Sequence, residues 1–163
     1  MPTMRSIRWV SCAVALPLAG CTPDPPPYAE VASVQEIMNA VLEPAADVYW
    51  DAVGWILDEQ GVSAIAPSTP EEWEAVRNAA YVIAESGNLL MMEGRAKDRG
   101  PWMAMSRAMV EVGRQALLAA ETEDEAAVFD AGAEVYYVCS ACHVQYALET
   151  LNPSDTPSDS GGS

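Results

Sequence analysis

The chain has 163 residues, half of them hydrophobic, with a mean hydropathy of +0.03, enough for one buried core and one domain. Eight Lys and Arg stand against 24 Asp and Glu, a formal charge of -16, which excludes a nucleic-acid binder because that class needs clustered positive charge. Five Trp and six Tyr exclude a disordered chain, and the Ala-rich stretches favour helix.

Residues 1–21 place Arg5 and Arg8 ahead of an apolar run from Trp9 to Leu18. A charged start before a short apolar stretch predicts an export signal. The run is too short to span a bilayer, which takes about 20 apolar residues. Its end, Leu18-Ala19-Gly20-Cys21, resembles the lipobox of bacterial lipoproteins. That resemblance implies cleavage before Cys21, a diacylglycerol on its thiol, and a lipid anchor on the periplasmic side; Thr22 in the next position favours the outer membrane. An ordinary signal peptide with an incidental Cys21 is the alternative. Cleavage leaves six positive and 24 negative side chains, and it removes Cys12. With Cys21 acylated, Cys139 and Cys142 are then the free thiols in an oxidising compartment. The expected division is a signal peptide at 1–20, a Pro-rich tether at 21–28, a folded domain at 29–151, and a disordered polar tail at 152–163.

Four helices are predicted in the folded part. The first covers about 29–56, with Val34, Met38, Val41, Ala45, Val48 and Ala52 on one face; Pro44 should kink it. Residues 58–68, with Gly61 and Pro67, read as a loop. The second helix opens at Thr69-Pro70-Glu71-Glu72, where Thr69 and Glu72 form a capping box, and runs to about Glu93. The third starts at Pro101 with Met105, Met109, Val112 and Ala116 on one face. The fourth opens at Thr122-Glu123-Asp124-Glu125, a second capping box, and runs to about Leu151, where Asn152-Pro153 ends it. Short connections imply antiparallel neighbours. The expected fold is all-α, an antiparallel four-helix bundle.

Cys139-Ser140-Ala141-Cys142-His143 is a C-x-x-C-H run, the attachment signature of c-type haem. On a helix both thiols share one face and can bond the two vinyl groups of the porphyrin, while His143 reaches the iron. Two plainer readings fit less well. A thioredoxin-like C-x-x-C sits at a helix N-terminus after a strand, whereas this one lies late in the last helix. A zinc site takes four N or S ligands, and His143 is the only His.

A C-x-x-C-H on the last of four helices resembles the cytochrome c′ family and its low-spin, Met-ligated relatives. The resemblance covers about 29–151 and rests on architecture, motif placement and Ile37-Met38 in the first helix. It implies one covalent haem, His143 as proximal iron ligand and Met38 as distal ligand. The family often has an aromatic followed by Arg after the motif; here Tyr146 precedes Ala147.

The sixth iron position separates two functions. His/Met ligation suits electron transfer; a vacant apolar face suits binding of NO or CO. Met38 is the preferred ligand, with Met91, Met92, Met103, Met105 and Met109 as rivals better read as core. Arg95, Lys97 and Arg99 crowd one loop, read as a solvated turn in preference to a propionate or docking contact. Trp50, Trp55, Trp73 and Trp102 are read as core or haem-edge packing. The acidic clusters sit at helix starts, where they favour the helix dipole. No acid/base dyad or Ser-His-Asp set is present, so no enzymatic activity is expected. The acidic balance points to a redox partner with a basic docking patch; a homodimer is also allowed.

Overall fold

The computed structural model describes residues 26–147. The expected signal peptide, Cys12, Cys21, most of the tether and the 152–163 tail lie outside the described residues. The described chain is mostly helical with one two-stranded antiparallel hairpin, so the all-α expectation is corrected.

The first helix covers 34–50 in three stretches: α-helical Val34–Ile37, π-helical Met38–Leu42, and α-helical Glu43–Trp50. Ser33 caps it through a box with Glu36. Pro44 has no N–H to give to the preceding turn. The Glu43 N–H instead reaches the Met38 carbonyl five residues back, and the wider turn absorbs the proline ring. This turn also shifts the helix phase. The buried face is Ile37, Leu42, Ala45, Tyr49 and Val53, while Val41 and Val48 of the expected face are exposed.

The helix ends at Trp50, earlier than expected, and the hairpin follows. Strand β1, Gly54–Asp58, pairs with β2, Gly61–Ile65, bringing Trp55 opposite Ala64 and Leu57 opposite Val62. Asp58 accepts from the Gln60 N–H at 2.9 Å and Gly61 takes φ 127°, a tight reversal suited to these residue types. Alternation of large apolar side chains through Trp55 and Leu57 gives strand, where a helix and loop were expected. Trp55 is exposed and packs in no core.

The second helix, Pro70–Leu90, starts as predicted: Thr69 Oγ1 accepts from the Glu72 N–H, and the Glu72 carboxylate accepts from the Thr69 N–H. The third, Pro101–Glu121, lies antiparallel against it, with Trp102 Nε1 donating to the Leu90 carbonyl at 2.7 Å. Two glycines permit this approach. A Cβ on Gly113 would lie 2.6 Å from Ala84 Cα, and one on Gly87 would lie 2.6 Å from the Ser106 carbonyl oxygen.

The fourth helix, Glu125–Tyr146, is capped by Asp124, which accepts from the Ala127 N–H at 3.0 Å. Thr122 was the expected cap; it belongs to the end of the third helix instead, donating to the Ala119 carbonyl. Glu123 between them adopts φ 54°, which turns the chain too sharply for the box beginning at Thr122 to form. The described helix ends at Tyr146, and the expected extension to Leu151 lies outside the described residues. The first helix closes on the fourth through Trp50 Nε1, which donates to the Gly132 carbonyl at 2.9 Å. Tyr49, fully buried, reaches the Ala116 carbonyl.

Candidate functional site

One crevice gathers Met38 and Leu42 of the first helix, Leu90 of the second, Met105, Ser106 and Met109 of the third, and Val138, Cys139, Cys142 and His143 of the fourth. The motif and the preferred methionine, about a hundred residues apart in sequence, thus line the same space. Met105 and Met109 line it too; Met91, Met92 and Met103 do not, and Met92 Sδ accepts from Arg95. Met38 stands where the first helix is π-helical, an irregularity that recurs at functional positions.

The crevice is narrow, with an open volume of about 20 Å³, whereas sites for organic ligands run to several hundred. Room for a planar macrocycle therefore requires the walls of the crevice to part.

Both cysteines are unpaired thiols. Burial, reinforced by Cys142 alongside, pushes the Cys139 thiol up to about 11; burial also raises Cys142. The motif occupies the C-terminal part of its helix, the negative end of the dipole. Redox C-x-x-C motifs need the reverse, a thiol lowered at a helix N-terminus. No three His, Cys, Asp or Glu side chains converge on one point among the described residues. The donor set fits a group that takes thiols and imidazole at different atoms. A haem would be held in this way, by Cys139 and Cys142 at its edge and by His143 at its iron.

The end of the fourth helix is fastened by a contact the sequence did not mark. The Tyr146 hydroxyl donates to Asp98, and the other carboxylate oxygen of Asp98 accepts from the Gly100 and Trp102 N–H groups at 2.7 and 3.1 Å. The Tyr146 contact, seconded by these N–H groups, holds the Asp98 carboxyl below its ordinary range. Burial and then Asp98 push the Tyr146 hydroxyl up to about 12. Trp102 stands edge-on to Tyr146 at 5.0 Å. Tyr146, three residues past His143, is thereby tied to the start of the third helix. The only sequence signal is the turn-forming Asp98-Arg99-Gly100-Pro101.

Arg95 corrects the reading of its loop as a solvated turn. It is buried, and its guanidinium donates to the Ala32 and Leu89 carbonyls. It straps the segment before the first helix onto the end of the second, where no ligand contact is needed to explain it. Lys97 and Arg99 are exposed.

No family model, no curated protein and no solved structure matches this chain.

Proposed function

We propose that the protein is a c-type cytochrome that carries electrons, with one covalent haem in the crevice between the first and fourth helices. The observation that carries this reading is the meeting of Met38 with Cys139, Cys142 and His143 across one apolar crevice. In the same reading the four helices form an antiparallel bundle of the cytochrome c′ type, exported and held to a membrane through a lipid on Cys21.

A haem supplies one-electron chemistry at its iron. The chain's own groups do the rest. Cys139 and Cys142, three residues apart on one helix face, bond the macrocycle edge through their sulfurs. His143 holds the iron from the same helix, and the Asp98–Tyr146 contact fixes the helix end that presents it. Met38 offers a soft thioether from the opposite wall. Leu42, Leu90, Met109 and Val138 exclude water, which favours the less charged, reduced form and limits reorganisation of solvent.

The visible spectrum of the purified protein and of Met38→Ala tests the assignment. The wild type should be low-spin and indifferent to CO. Met38→Ala should keep its covalent pigment, bind CO promptly and show a lower reduction potential. A low-spin spectrum unchanged in Met38→Ala would move the ligand to Met105 or Met109. A five-coordinate wild type would favour the NO- or CO-binding function.

A further inference from the structure

The fourth helix is apolar around most of its circumference, yet only one side of it faces the core. Its outer side shows Phe129, Tyr136 and Tyr137, and Tyr137 is 65% exposed. A helix apolar all round is normally covered all round. The hairpin continues the same surface: Trp55 stands edge-on to Phe129 at 5.0 Å, and Trp55, Leu57 and Val62 share one face of the two strands. Leu57 is 81% exposed. Phe129, Tyr136, Tyr137 and Trp50 border a hollow of about 300 Å³. At 150–250 Å² per aromatic side chain, the exposed parts of Trp55, Phe129, Tyr136 and Tyr137 alone come to roughly 500 Å². A patch of about that size is the largest an ordinary monomer exposes and is often functional.

Charge identifies what covers it. Every Lys and Arg among the described residues lies on the second helix, the third helix or the connection between them. The first helix, the hairpin and the fourth helix carry none. Asp51, Asp58, Glu59, Asp130 and Glu134, on or beside the hairpin and the fourth helix that carry the patch, are all exposed. Anionic bilayers attract apolar faces flanked by Lys and Arg, the opposite of this arrangement. A second copy would set one acidic rim against another.

We propose that this face docks a protein whose contact surface is apolar at its centre and ringed by Lys and Arg. Tyr136 lies one turn before Cys139 on the same helix, so a partner seated here sits beside the C-x-x-C-H motif. The inference that the partner exchanges electrons rests on the proposed function; the docking itself does not.

The test is calorimetric titration of the whole protein with a lysine-rich mitochondrial cytochrome c, whose apolar haem edge is ringed by lysines. Binding should be one-to-one and weaken at least ~10-fold between about 10 mM and about 150 mM salt. Tyr137→Ser and Leu57→Ser, at exposed positions outside the core, should each weaken it about tenfold. The pair Asp130→Lys with Glu134→Lys should do the same, while Glu74→Lys with Glu85→Lys, an equal charge change on the second helix, should stay within about twofold. Three results would overturn the proposal: no binding at low salt, equal loss in both charge-reversed pairs, or self-association or vesicle adsorption that Tyr137→Ser abolishes. The heat of binding needs no haem. A colourless protein that binds through this face would leave the docking standing while the cytochrome reading fell, and a red protein that does not bind there would do the reverse.

Discussion

Replacing Gly113 by Ala probes the packing that sets the crevice's back wall. The new Cβ would lie 2.6 Å from both Cα and N of Ala84 and 2.8 Å from its Cβ. Carbon atoms rest at about 3.5–4.0 Å, so the second and third helices must separate by roughly 1 Å. The obstacle is helix backbone, which cannot rotate away as a side chain can. Overpacking of this kind costs about 1–3 kcal/mol, and the rigid neighbour puts Gly113 near the upper end. Helix propensity opposes it, favouring Ala by about 1 kcal/mol. The net expectation is a loss of roughly 1–2 kcal/mol, lowering the unfolding midpoint by about 3–8 °C. Urea unfolding followed by far-ultraviolet circular dichroism measures it directly. Gly54→Ala is the control: nothing lies within 4 Å of its Cβ position, so its effect should stay within about 0.5 kcal/mol. A Gly113→Ala protein as stable as wild type, or more so, would refute the close approach of these helices.

Alkaline unfolding reports the state of Cys139. In the haem-free protein its thiol stays protonated to about 11, against an ordinary 9.0. The native state then holds a proton that the unfolded chain releases, so stability falls as pH rises from about 9 to about 11 and is unaffected by this group below that window. The loss is roughly 2–3 kcal/mol. Cys142 and Tyr146, raised as well, add to the fall in either protein, so urea titrations across the window should show a larger fall in wild type than in Cys139→Ser, and an equal fall in the two would rule the thiol out. Thr69→Ala removes the acceptor for the Glu72 N–H and should cost about 1 kcal/mol in the same assay. A change below about 0.3 kcal/mol would mean the box with Glu72 does not hold the helix start.

The helix starts at Thr69 and Pro101 were legible because capping and proline preferences act over three or four residues. The C-x-x-C-H motif was legible for the same reason, its spacing being local. Pro44 announced a disturbance in the first helix but not its form, and the π-turn ahead of it moved the buried face from Val41 and Val48 to Leu42 and Tyr49. The hairpin was missed because Trp55, Ile56 and Leu57 continue an apolar helical pattern as readily as they start a strand. Arg95 sat among three cations that read as solvated; only the tertiary fold shows the carbonyls it meets. The pairing of Asp98 with Tyr146 joins residues 48 apart and left no periodic trace. Met38 was placed by resemblance, and its position in the crevice depends on the first helix closing on the fourth, which no local pattern encodes.

Intact-mass measurement of the protein made in a host that matures c-type cytochromes tests the central claim most directly. The expected result is a mass raised by one haem, a pigment that acid-acetone does not extract, and loss of both when Cys139 and Cys142 are replaced by Ala. A colourless protein without added mass, or one lighter by two hydrogens through a bond between Cys139 and Cys142, would contradict it.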